Sequence, residues 1–333
     1  MTATSLHGGL DGKQVYFAGA ALISMGTPWG TLANVTRQAL EPLGYEVHIE
    51  SLSWGNNNPK YVSDGRAVLG ATQYRAVQEA LEGVEGFAGD PPRANLRLIA
   101  TIHQPAWIGV AVRADSGITD LSEIGERRMP VRYKSGGEKA IASIFDYYGL
   151  SREAIASWGG RPVTNDVAPV PTDSGDPTAR WARDYNEISM WVRDGDFDLI
   201  VDPIYAAYTP EHKHWWDASI LHKLRFLPLP PDLIQRIMDK SQAEAPGFIP
   251  HRLMRGVDED VATVERFPQV IYTRAEAPDE FIFNVTKALD ENRHLFRKTH
   301  MPYSYDPSTV AKLRAVPLHP AAEHYYKTAG YLR

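Results

Sequence analysis

The chain has 333 residues, with 35 Lys and Arg against 41 Asp and Glu, a formal net charge of −6 and no cysteine. This length has room for about two domains, each large enough to bury a core without covalent staples. The composition excludes a disulfide framework, a thiol nucleophile and Cys-ligated zinc or iron–sulfur centres, and the acidic balance argues against a dedicated nucleic-acid binder. No window approaches the roughly 18 apolar residues of a membrane span, so no membrane insertion is expected. The first apolar run follows Asp11 and has Lys13 as its only basic residue, which is unlike a secretory leader. The expectation is therefore a cytoplasmic protein if Met1 is the true start, and a periplasmic or extracytoplasmic one if a leader has been removed.

Strand-like and helix-like segments alternate along the chain. Strands are expected at 14–19, 45–50, 66–70, 96–102 and 107–112, with helices at 27–43 and 72–81. The middle repeats the rhythm: helix 120–126, strand 129–132, helix 137–148, and a helix capped by Ser151 that runs to about Trp158. A polar, turn-rich stretch at 172–178 leads into a helix reaching about Arg193, followed by strand 197–201. The last third reads as strand 224–227, helix 231–241, strand 268–272, helix 278–293 and helix 321–328. Such alternation predicts an α/β fold with largely parallel sheets.

Chemistry is expected at the strand-to-helix loops, because exposed amides at a helix N-terminus suit a carboxylate or phosphate. The first loop runs from Gly19 through Ala20, Met25, Gly26 and Thr27 to Trp29. It lacks both the dinucleotide fingerprint and a Gly-Lys-Ser/Thr sequence, so no nucleotide cofactor is expected. The second is Lys134-Ser135-Gly136-Gly137-Glu138, and a weaker third is Asp202-Pro203-Ile204-Tyr205. In open α/β sheets, ligands sit beyond the carboxyl ends of the strands, where these loops converge. His103 and the aromatic residues Trp29, Trp54 and Trp107 fall at or beside strand ends, as pocket walls do. His212 and His214 form an H-x-H pair beside Glu211. In a helix, residues two apart point in different directions and no fourth ligand is apparent, so no metal is expected. No nucleophile elbow, zinc-protease motif or kinase set is present.

Several separated blocks, in order, carry a family resemblance: Tyr61–Gln73, Leu96–Ile102, Val110–Ile118, Asp120–Gly125, Ser135–Glu138, Gly256–Val264, Arg274–Glu280 and Val316–Tyr326. Over nearly the whole chain the sequence resembles the TAXI family of solute-binding proteins, the extracytoplasmic receptors of one branch of TRAP transporters. The resemblance implies a two-lobed periplasmic-binding-protein-like fold of type II kind, each lobe a mostly parallel sheet flanked by helices. Lobe 1 would comprise 12–107 plus 228–333 and lobe 2 would comprise 108–227, with crossings near 107–112 and 223–228. It also implies a small carboxylate ligand, aromatic or amino-acid-like included, in the interlobe cleft, closure of the lobes over it, and TRAP membrane subunits as partners. By the same resemblance Thr72 and Gln73 lie on the ligand side. The full ligand-binding set is then Ala20, Met25, Gly26, Thr27, Trp29, Thr72, Gln73, His103, Trp107, Lys134, Ser135, Gly136, Gly137, Asp202 and Tyr205.

The chain departs from the family pattern in three places. The first loop is poorer in Gly and Thr, Lys134 and Glu138 bring charge into the second loop, and the segment 160–185 is longer. The alternative reading is an intracellular lyase, decarboxylase or isomerase on the same fold, with His103, Lys134 and Glu138 as acid–base groups. A cytoplasmic ligand sensor is a third reading.

Overall fold

A computed structural model describes residues 10–19, 27–51, 58–163, 188–209, 212–240, 243–313 and 315–333. The chain divides into two compact units, one built from the segments up to Gln104 and from Pro268 onward, the other from Pro105–Phe267. Each contains its own sheet flanked by helices, so the protein is α/β with two sheets and two chain crossings. The α/β class and the interleaved two-part division are those expected from the sequence.

The first unit holds β1 (Leu10–Asp11), β2 (Gln14–Gly19), β3 (Glu46–Ser51), β4 (Leu69–Gln73), β5 (Leu96–Ile102) and β13 (Gln269–Arg274). The sheet order is β1-β2-β4-β13-β5, with β3 also paired to β2. Helix α1 (Pro28–Leu40) starts where the sequence predicts. The Thr27 hydroxyl accepts from the Gly30 amide at 3.1 Å, and Pro28 occupies the first turn. Its Leu32, Val35, Ala39 and Leu40 are buried. Helix α2 (Asn58–Ser63) closes with the Tyr61 carbonyl accepting from Arg66 and Ala67. β4 therefore begins three residues later than expected, and Thr72 and Gln73 belong to the strand rather than to the following helix, α3 (Tyr74–Glu82).

The second unit carries β6 (Ala106–Arg113), β7 (Arg132–Ser135), β8 (Arg161–Pro162), β9 (Leu199–Tyr205), β10 (Leu224–Phe226), β11 (Ala243–Ile249) and β12 (Val261–Arg266), in the order β11-β12-β6-β9-β7-β8 with β10 on β6. Its helices include α4 (Ser122–Glu126), α5 (Lys139–Tyr147), α6 (Arg152–Ser157), α7 (Met190–Arg193), α8 (His214–Leu221) and α9 (Pro231–Lys240). Val110, Val112, Leu199 and Val201 pack on one face of the sheet with Ile141, Ile144, Leu233 and Ile237. Ala111, Ile200 and Ile204 pack on the other with Trp215 and Phe226. Burial on both faces explains the near-continuous apolar run of β6 and of Leu199–Val201 in β9, ahead of Asp202. The first unit is completed by α10 (Asp279–Glu291) and α11 (Pro320–Thr328).

Two sequence expectations need correction. The sheets are mixed, with antiparallel pairings in the majority. Among the described residues β2 pairs in parallel with β3 and β4, and β7 with β8 and β9, while every other pairing between these strands is antiparallel. The cause is topological: β13 returns from the second unit and lies antiparallel between β4 and β5, and β6 runs against β9, β10 and β12. The second crossing also falls at Phe267/Pro268, well beyond 223–228. Residues 228–267 belong to the second unit because β12 pairs with β6 and α9 packs Leu233 and Ile237 into its core. The sequence reading missed β11, an edge strand interrupted by Pro246 and Gly247, which hide its strand character. The expected turn-rich stretch 172–178, and most of the helix after it, lie outside the described residues.

Candidate functional site

In the second unit the carboxyl ends of β7 and β9 deliver polar groups to one end of the sheet. β7 runs into Gly136-Gly137-Glu138 and then α5. The Gly136 amide donates to the Val201 carbonyl at 3.0 Å, tying this loop to β9. Gly136 is required sterically: a Cβ there would lie 2.5 Å from Asp202 Oδ1 and 2.8 Å from Ile141 Cδ1. Glu138 makes no side-chain capping bond, so the first amides of α5 face the loop without a side-chain cap.

Asp202, on β9, is 3% exposed. Its Oδ2 lies 2.9 Å from His214 Nε2, 3.3 Å from His212 Nδ1 and 3.9 Å from Lys134 Nζ. Burial by itself would raise the carboxyl pKa. The bonds to His212 and His214 outweigh it and hold Asp202 well below the usual carboxylate range. Burial lowers His214, partly offset by Asp202. The two histidines converge because His212 precedes α8 rather than lying within it, so the helical argument against a joint role for this pair does not apply. The third group of the cluster is Asp202, not Glu211, which lies outside the described residues.

A second polar group stands beside this one. Arg266, at the end of β12, is 8% exposed. Its Nη1 donates to Tyr205 Oη at 2.7 Å and its Nη2 to Glu138 Oε1 at 3.3 Å. Trp107 on β6 sits in register with Ile204 and with Glu265. The Ser135–Glu138 loop also borders a cavity of about 430 Å³, within the size range of small-molecule pockets. Tyr133, Phe145 and Leu150 supply apolar walls, and Arg152 a charged one.

The first unit gathers its own set. Trp29 Nε1 donates to Gln269 Oε1 at 2.6 Å. Gln269 pairs with both Gln73 and Ile102 across the sheet, which brings α1, β4, β5 and β13 to one sheet end. His103 follows β5, its amide donating to the Ser304 carbonyl at 3.0 Å. His300 Nδ1 lies 3.4 Å from Thr31 Oγ1, and burial pushes this imidazole down to about 4.

Of the residues named from sequence, Thr27, Trp29, Thr72, Gln73 and His103 fall in the first unit. Trp107, Lys134, Ser135, Gly136, Gly137, Asp202 and Tyr205 fall in the second. Ala20, Met25 and Gly26 lie outside the described residues. The proposed acid–base trio is divided: His103 is in the first unit, while Lys134 and Glu138 sit in ion pairs with Asp202 and Arg266 in the second. Sequence reading missed Arg266, Gln269 and His300. Arg266 ends the alternating run Val261–Arg266, a strand signal that could have located it beside β6.

Among the described residues no helix is long and apolar enough to cross a membrane. The class defined by the fold is the two-sheet α/β one described above. Within it, the chain belongs to the NMT1-like family, whose model matches residues 27–164 and 209–330. Solved structures similar to it include a TctC solute-binding protein from Polaromonas, at 12% identity and TM-score 0.46, covering 96% of this chain and 99% of that one. The L-cystine solute receptor of Neisseria gonorrhoeae is similar at 14% identity and TM-score 0.38, covering 91% and 100%. A polar amino acid ABC uptake transporter substrate-binding protein from Streptococcus thermophilus is similar at 10% and 0.40, covering 95% and 92%.

Proposed function

We propose that this protein is a solute-binding protein of the TAXI type, which holds a small organic acid and delivers it to TRAP-type membrane subunits outside the cytoplasm. The observation that carries the carboxylate reading is Arg266. This buried guanidinium is oriented by Tyr205 and Glu138 at the same sheet end as the uncapped start of α5. A fixed guanidinium with nearby backbone amides suits a carboxylate, since the fork geometry is set before the ligand arrives. In this reading Lys134, Ser135, Gly136, Gly137, Asp202, Tyr205 and Trp107 are the ligand-side residues of the second unit. Thr27, Trp29, Thr72, Gln73 and His103 form the corresponding polar set of the first. The order of the TAXI-like sequence blocks supports the subfamily, and membership of the NMT1-like family is compatible with it.

A thermal-shift screen against mono- and dicarboxylates tests the reading. A true ligand at 100-fold over its Kd stabilises the native state by about 2.7 kcal/mol, a clear rise in Tm. The shift should vanish in Arg266→Gln and survive in part in Arg266→Lys. No response to any carboxylate, or an undiminished response in Arg266→Gln, would reject it.

A further inference from the structure

We propose that Asp202, His212 and His214 form a binding site for a divalent transition-metal ion of the zinc type, at the carboxyl end of β9. The proposal shares Asp202 with the carboxylate reading but does not depend on it, since it rests on the convergence of three ligand atoms and is tested with the metal ion alone. Each of the three residues offers one ligand atom, and these atoms all lie within 4.8 Å of one another. With zinc–nitrogen and zinc–oxygen bonds of about 2.0–2.2 Å, ligand atoms on a tetrahedral ion stand about 3.3–3.5 Å apart. The Asp202 oxygen is 3.3 Å from His212 Nδ1 and 2.9 Å from His214 Nε2, so these two edges are within a few tenths of an ångström of that spacing.

Burial supports the same reading. Asp202 is 3% and His214 4% exposed, and His214 Nε2 faces the Asp202 carboxylate at 2.9 Å. A metal ion at the shared point would replace that contact by taking the lone pair of the neutral imidazole. Two imidazoles and one carboxylate select a borderline metal over calcium or magnesium, which prefer all-oxygen shells. Three protein ligands leave a fourth position open. The Lys134 ammonium lies 3.9 Å from the same Asp202 oxygen and would have to draw back from a cation bound there. It also lies 3.3 Å from the Ser135 carbonyl, toward which it can turn when the ion enters.

The test is calorimetric titration of the chelator-dialysed full chain with zinc ion alone, repeated with cobalt ion to read coordination from its visible spectrum. With no cysteine in the chain, thiolate binding cannot contribute. The expected result is one high-affinity equivalent and a tetrahedral-type cobalt spectrum. Asp202→Asn and His214→Ala should weaken the affinity by more than ~100-fold, beyond the loss caused by removing an outer partner. Far-UV circular dichroism checks that the variants fold, and if either does not, His212→Gln takes its place with the same expected loss. Absence of uptake by the parent chain, or uptake undiminished in the folded variants, overturns the proposal.

Discussion

His300 shows how one partly buried side chain sets a response of the whole protein. Burial holds its folded-state pKa at about 4, below the ordinary value of 6.5. In the unfolded chain the ring takes up a proton as the pH falls below about 6.5, while in the native state it stays neutral until about 4. The unfolded state therefore binds more protons across that window, and stability is present above it and lost on acidification through it. From pH 7 to 5 the loss from this group is about 2 kcal/mol. Urea unfolding at the two pH values should show it, and His300→Gln should remove that part of the loss while leaving the rest of the acid sensitivity. Asp202 acts in a lower range. Its carboxyl is held far down by His212 and His214, so its stabilisation persists until well below the usual carboxylate range.

At the scale of elements, the β7–α5 loop is the part on which the candidate site depends most. Gly136 bonds to β9 through its amide, and the space a side chain would need is occupied by Asp202, Ile141 and the Glu138 carboxylate. Gly136→Ala should therefore destabilise the protein by about 1–3 kcal/mol, the usual cost of overpacking. It should also weaken any ligand that depends on Asp202 or Glu138, since both carboxylates must move aside. Denaturant unfolding together with ligand titration measures the two effects. Gly137 offers the contrast: a Cβ there meets nothing within 4 Å, so Gly137→Ala should have little effect on packing.

At the scale of the molecule, the second unit is one continuous stretch, Pro105–Phe267, and among the described residues its sheet draws on no strand from outside it. Expressed alone, this stretch should fold cooperatively, with mixed α/β circular dichroism and a sharp thermal transition. The first unit is discontinuous, but Gln269 pairs with Ile102, so the chain ends left by removing the second unit are neighbours. A short Gly/Ser linker between Gln104 and Pro268 should restore a folded first unit, because closing so small a gap costs little entropy. A molten, non-cooperative product from either piece would show that the units depend on each other for stability.

Local signals sufficed for much of this protein. Apolar patterning located β2 and β5, Thr27 and Pro28 marked the start of α1, and Ser151 capped α6 as expected, its hydroxyl accepting from the Ala154 amide. The alternation of elements gave the α/β class, and the strand-end loops pointed to Lys134–Gly137 and Asp202. These are properties of neighbouring residues and are written in local order. The tertiary structure alone decided the rest, because it depends on contacts between distant segments. It placed β13 antiparallel between β4 and β5, assigned residues 228–267 to the second unit, and brought Arg266 to Glu138 across 128 positions. It also turned an H-x-H pair that looked divergent into two rings facing one buried carboxylate, since α8 begins only at His214 and no side-chain cap marks that start in the sequence.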